Sequence, residues 1–237
     1  MFAGTVIFIP GLICTRDLFR DQIAALQSAL PGPNAVQVAD TTQHQSITDM
    51  AKAGLALADG AIVPVGLSMG GYVAMEMARL APDRVAGLGL LSTNYRDDDA
   101  AKKTQRLATI EMAKSDKFRG VTRHLMKSFL SPAAMQDETI IARVQAMAAE
   151  IGSAGFVRQQ EAILGRRNQA DTLAQLRVPT LILCGLLDSL TPPHLSEEMQ
   201  ALAPSAQLEL LPEIGHLSSM EAPAAVNAAI IKLLGQI

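Results

Sequence analysis

Residues 62–71 read Ile62-Val63-Pro64-Val65-Gly66-Leu67-Ser68-Met69-Gly70-Gly71, a short apolar run followed by G-x-S-x-G. The residues after it (Tyr72, Met75, Glu76, Met77, Arg79, Leu80) follow a helical period. A serine so placed sits on a strained strand-to-helix turn that lifts its hydroxyl clear of the sheet. Glycines at 66 and 70 let strand and helix approach without a Cβ clash. The helix start brings backbone N–H groups close to the serine, where they suit an oxyanion. As a bare pattern G-x-S-x-G is common, and its weight here comes from the strand–turn–helix context. The competing reading makes Ser68 only the N-cap of a glycine-rich loop.

Outward from this turn, short β-rich runs alternate with helical stretches. The strand runs are Thr5–Ile9, Ala35–Val38, Ile62–Gly66, Val85–Leu91, Thr180–Cys184 and Gln207–Leu211. They are too short for helices and nearly continuously apolar, as strands buried on both faces are. Helices are expected over Asp17–Leu30, Ile47–Leu57, Met69–Leu80, Pro193–Leu202 and Pro223–Gly235. The alternation predicts an α/β fold with a mostly parallel six-stranded sheet flanked by helices on both faces. Residues 94–177 break the rhythm: they are charged, rich in Ala, Gln and Met, and carry no strand pattern. So long a helical stretch exceeds a crossover, and it reads as an inserted cap over the C-terminal edge of the sheet. Its expected helices are Asp98–Lys114, Lys117–Leu130, Pro132–Glu150 and Ser153–Gly165. Residues 1–93 and 178–237 are then the core domain; the competing reading folds the extra helices into that core.

Composition narrows the function. The chain has 237 residues, 18% charged and nearly half apolar, at a net charge of −3, which fits one globular domain. Without a long basic run, nucleic acid and anionic membrane are not expected partners. Val6–Cys14 lacks a basic segment before it and is interrupted by Pro10-Gly11, so it reads as a strand rather than a signal peptide. Cys14 and Cys184 sit in apolar surroundings without metal spacing and are expected as buried free thiols of a cytoplasmic protein. No metal or other cofactor is expected, since the histidines are scattered and no phosphate-binding loop is present.

A serine hydroxyl needs an imidazole to take its proton, and the imidazole needs a carboxylate to fix its tautomer. Of four histidines, His44 is in a polar loop, His124 in the cap, and His194 follows Pro192-Pro193. His216 lies in the loop after the last strand, and parallel strands deliver such loops to the edge where Ser68 emerges. Asp188 follows the strand Thr180–Cys184 and reaches the same edge. Asp97, Asp98 and Asp99 are rival acids, though three aspartates at a helix start also suit the macrodipole. The loop Ile9-Pro10-Gly11-Leu12-Ile13-Cys14 offers the second oxyanion donor, so the hole is assigned to the backbone N–H groups of Leu12 and Met69.

Three segments resemble the α/β-hydrolase superfamily: Gly66–Gly71, Pro179–Pro193, and Gly215-His216-Leu217-Ser218 followed by Glu221-Ala222-Pro223. Within it, the chain is similar to small cofactor-free serine hydrolases related to 3-oxoadipate enol-lactonases. The resemblance implies a Ser-Asp-His triad of Ser68, Asp188 and His216. Pro10-Gly11 stands where such relatives usually carry His-Gly, which removes a polar neighbour but leaves the Leu12 N–H. Relatives also often begin with extra strands.

The expected pocket lies between Ser68 and the cap, with Ile13, Phe19 and Leu190 among its lining and Arg96 and Arg167 at its mouth for a substrate carboxylate. The expected reaction is hydrolysis of a small-molecule ester or lactone through an acyl-enzyme, by a monomer or homodimer. Alternatives are C–C or thioester hydrolysis or elimination with the same triad, or a non-catalytic small-molecule binding protein on the same fold.

Overall fold

A computed structural model describes residues 2–30, 32–115 and 120–237. Six strands form one parallel sheet in the order β2-β1-β3-β4-β5-β6. These are β1 (Thr5–Ile9), β2 (Val36–Val38), β3 (Ile62–Leu67), β4 (Leu88–Leu91), β5 (Thr180–Gly185) and β6 (Gln207–Leu211). The expected strand Val85–Leu91 shortens to its last four residues, with Val85 joined to Ile62 only by an isolated bridge.

Successive residues of a strand face opposite sides, and β1 divides its side chains between two cores accordingly. Val6 and Phe8 pack with Leu18, Ile23 and Leu26 of the first helical region and Val226, Ile230 and Leu233 near the C-terminus. Ile7 and Ile9 pack on the other face with Met50, Val73, Met77 and Met199. The covering helices are α1 (Arg20–Ala29) and α10 (Pro223–Leu234) on the first face, and α2 (Ile47–Leu55), α3 (Met69–Leu80) and α8 (Pro193–Leu202) on the second. The expected helix Asp17–Leu30 begins instead as a 3-10 turn, Arg16–Phe19, capped by Thr15.

Between β4 and β5 the described chain is helical: α4 (Ala100–Lys114), α5 (Arg123–Met126), α6 (Glu138–Leu164) and α7 (Ala170–Gln175). The two helices expected over Pro132–Glu150 and Ser153–Gly165 are both present as the two arms of α6, which meet at a kink where Gly152 is non-helical, with φ 63° and ψ −178°. Asp137 sets its start by accepting the N–H groups of Thr139 and Ile140, so the helix begins later than Pro132. Of the helix expected over Lys117–Leu130, residues 117–119 lie outside the described residues, and only Arg123–Met126 is α-helical in the remainder. A further short helix, α9 (Ser218–Glu221), precedes α10.

By length and apolar composition alone α6 would pass for a membrane span. Its apolar residues are used within the fold: Ile141, Val144, Met147 and Ala148 join the first core, Ala162 and Ile163 the second.

Candidate active site

Ser68 sits between β3 and α3 with φ 57° and ψ −117°, a left-handed backbone that side-chain-bearing residues rarely adopt. The turn is fixed on every side. Ser68 N–H donates to Leu91 O at 3.0 Å, and Ser68 O accepts from Gly71 N–H at 2.9 Å and Thr93 Oγ1 at 2.8 Å. The flanking glycines are required sterically: a Cβ at Gly66 would stand 2.1 Å from Gly70 O, and one at Gly70 would stand 1.9 Å from Ile9 O. That second contact also shows how closely the elbow packs against the start of the Pro10–Cys14 loop. Met69 is the first residue of α3, so its N–H has no acceptor within the helix.

The loops after β5 and β6 run side by side. Leu186 N–H donates to Leu211 O and Leu187 N–H to Ile214 O, both at 2.9 Å. This contact brings Asp188 to His216, and Oδ2 of the former lies 2.8 Å from Nδ1 of the latter. Both side chains are buried. Asp188 Oδ1 accepts the N–H groups of Leu190 and Thr191 at 2.9 Å each, and Oδ2 also accepts Thr191 Oγ1–H at 2.7 Å. Burial pushes the Asp188 carboxyl up, but the His216 imidazole and the bonds from Thr191 outweigh it and hold the group below the usual carboxylate range. Cys184, behind the pair, is a thiol pushed up to about 12 by burial and by the Asp188 charge. The His216 loop is tied to residues 129–131: His216 N–H donates to Phe129 O at 2.8 Å, and Glu221 Oε2 accepts both Gly215 N–H and Ser131 N–H.

Ser68 and His216 line one small cavity of about 80 Å³, with Gly11, Leu12, Ile13, Cys14, Leu67, Phe129, Val144, Leu190 and Leu217. The lining is almost wholly apolar beyond these two side chains.

Leu12, Ile13 and Leu190 line this cavity. Phe19 does not: it is fully buried and stacked on Phe8 at 4.7 Å between ring centres, so it belongs to the core beneath the site. Arg96 pairs with Glu198 at 2.7 Å, outside the residues around Ser68. Arg167 lines a cleft with Arg79, Asp83 and Asp171 at the far end of α3 from Ser68. Arg166 is engaged by Asp98 at 2.8 Å and lies over the Tyr72 ring. Of the three rival acids, Asp98 is buried between Arg166 and Arg106 and faces no histidine in these bonds, and Asp99 caps α4 by accepting Lys102 N–H. Among the described residues, no three His, Cys, Asp or Glu side chains cluster as a metal site would require.

Thr191, Phe129, Val144 and Leu217 were not singled out by the sequence. Thr191 was within reach, since Asp-x-x-Thr is a spacing at which an aspartate captures the following turn.

The sequence profile described as the alpha/beta hydrolase fold matches residues 4–223. The chain belongs to that family. Among its relatives, a Mycobacterium tuberculosis protein named as the non-heme bromoperoxidase BpoC is 27% identical over 91% of this chain and 80% of its own length. A pimeloyl-[acyl-carrier protein] methyl ester esterase of Neisseria meningitidis is 27% identical over 93% of this chain and 91% of its own. Among solved structures, a thermophilic esterase from Thermogutta terrifontis superposes with a TM-score of 0.86 at 28% identity, covering 98% of this chain and 91% of that one. The enol-lactonase from Burkholderia xenovorans LB400 shares the fold at a TM-score of 0.81 and 18% identity, covering 99% and 91%.

Proposed function

We propose that this α/β hydrolase cleaves a carboxylic ester or lactone through an acyl-enzyme on Ser68, with His216 as base and Asp188 as the acid that orients it. The observation that carries the reading is the 2.8 Å bond between Asp188 and His216 Nδ1, beside a cavity that His216 shares with the strained Ser68. With Nδ1–H held by the carboxylate, Nε2 is left to accept the Ser68 proton. The freed Oγ adds to the substrate carbonyl, and the resulting oxyanion is held by the N–H groups of Leu12 and Met69. His216 then returns the proton to the departing alkoxide. Water, deprotonated by the same imidazole, releases the acid and restores Ser68.

Substrate size follows from the cavity. Its small volume and apolar lining of Leu12, Ile13, Phe129, Val144, Leu190 and Leu217 favour a short acyl group. In this reading residues 94–177 act as the cap, because Phe129 and Val144 close the cavity from that segment. Of the relatives named above, the Neisseria meningitidis protein and the Thermogutta terrifontis structure are both named as esterases, which supports ester hydrolysis.

The test is turnover of a p-nitrophenyl ester series from acetate to octanoate, with a lactone panel beside it. Activity is expected to fall with acyl length, and Ser68→Ala is expected to lose on the order of 10⁶ in kcat. A Ser68→Ala protein with most of its activity intact removes the proposed nucleophile. Negligible ester and lactone turnover beside clear activity on diketones or acyl thioesters would keep the triad and overturn the bond specificity.

A further inference from the structure

The loop that carries Leu12 is held from a distant part of the chain. Residues 11–14 form a turn closed by Cys14 N–H to Gly11 O at 3.2 Å, and Ile13, at its third position, has φ 54°. Turns with positive φ at that position take glycine or asparagine, and a β-branched side chain there is strained. Such strain persists only where the surroundings over-determine it. Here the constraint comes from α6. Gln159, fully buried, accepts Ile13 N–H on Oε1 at 2.9 Å, and its Nε2 donates to Thr41 Oγ1 at 3.1 Å. One end of the amide is committed to the loop after β1, the other to the loop after β2.

We propose that Gln159 is a positioning residue for the oxyanion loop, holding the Leu12–Ile13 peptide so that the adjacent Leu12 N–H keeps its aim at the Ser68 cavity. The inference rests on the assignment of Leu12 as an oxyanion donor. A flip of the Leu12–Ile13 peptide would carry Ile13 to negative φ, which relieves the backbone strain. The Leu12 N–H belongs to the preceding Gly11–Leu12 peptide, so the flip would act on that donor through its neighbour, reversing a peptide dipole beside the cavity that Leu12 and Ile13 line. The flip is opposed by the bond to Gln159, whose loss leaves a buried acceptor unpaired. Because α6 carries Gln159, these two bonds tie the donor loop to the helical segment between β4 and β5.

Gln159→Met removes the acceptor at nearly constant volume, whereas Gln159→Glu retains an oxygen at Oε1. Both are assayed with p-nitrophenyl acetate and with an aryl trifluoromethyl ketone, which forms a tetrahedral adduct on an active serine. Gln159→Met is expected to lower kcat about 10- to 100-fold with KM nearly unchanged, and to weaken the ketone by the same factor. Gln159→Glu should recover most of both. A packing role alone would lower the melting temperature without moving kcat per active site or the ketone constant. Thr41→Val loosens only the second amide bond, and a smaller loss of the same kind is expected. Should Gln159→Met not fold, an unchanged kcat and ketone constant in Thr41→Val overturns the proposal. Wild-type turnover and ketone binding, matched by Gln159→Met, do so too. A wild-type protein that neither cleaves the ester nor binds the ketone removes the hydrolase reading first, and the positioning role with it.

Discussion

Thr191 Oγ1 lies 2.7 Å from Asp188 Oδ2, the same oxygen that faces His216. With Oδ1 taken by two backbone N–H groups, the carboxylate is held on all sides but the one toward the imidazole. Its orientation is therefore set by the turn of residues 188–191 and not by the histidine alone.

Thr191→Val removes one bond to the charged carboxylate, of a kind worth about 1.5–3 kcal/mol. The expected result is a roughly 10-fold or greater fall in ester kcat with little change in KM, because Thr191 is not among the residues lining the cavity. Steady-state kinetics check this, and wild-type kcat in the variant would show that the turn holds Asp188 without it.

The elbow should tolerate no Cβ at Gly70. Gly70→Ala would place a carbon 1.9 Å from Ile9 O, a backbone atom that cannot yield, so loss of folded protein is expected. Gly60→Ala meets nothing within 4 Å and should be neutral or slightly stabilising. Thermal melts of the two variants distinguish a steric requirement from a general preference for glycine.

Strain at Ser68 predicts a stability difference between two inactive variants. Ser68→Ala keeps a Cβ at φ 57°, whereas Ser68→Gly does not. The glycine variant is expected to be more stable by about 1 kcal/mol in denaturant titrations. The reverse order would mean that the elbow stores no backbone strain.

Acid stability should depend on Glu76. This buried carboxylate binds Thr48, Arg79 and Gln169, whose bonds outweigh its burial and lower it from 4.5 to about 2. A group depressed on folding stabilises the protein above its unfolded value, and that contribution is lost as pH falls through its folded value. Between about pH 4.5 and pH 2, wild type should lose on the order of 3 kcal/mol that Glu76→Gln does not lose. Urea unfolding across this range checks the sign; parallel curves for the two proteins would contradict it.

Much of this architecture is legible in the sequence because its punctuation is strong. Met69–Leu80 and Pro193–Leu202 fall at the observed bounds, each fixed by a glycine-rich turn or a proline at the helix start. The meeting of Asp188 and His216 follows from strand order, since the loops after neighbouring parallel strands share an edge. Phe19 lies in the core and not in the cavity: one aromatic in a 3-10 turn has no period to show its side, and it stacks inward on Phe8. Arg96 and Arg167 are long cations whose positions are decided by tertiary partners such as Glu198. Phe129 and Val144 come from a segment that no sheet register locates. Gln159 is not legible in the sequence because a polar residue in a helix reads as solvent-facing, and only its tertiary bonds to the Ile13 N–H and to Thr41 account for its burial.

The most direct measurement is the site of covalent labelling by a fluorophosphonate, read by intact mass and peptide mapping of the native protein and of His216→Ala. A single adduct on Ser68, formed rapidly in wild type and lost or strongly slowed in His216→Ala, is the predicted result. No adduct in folded protein, an adduct on another residue, or labelling indifferent to His216 would contradict it.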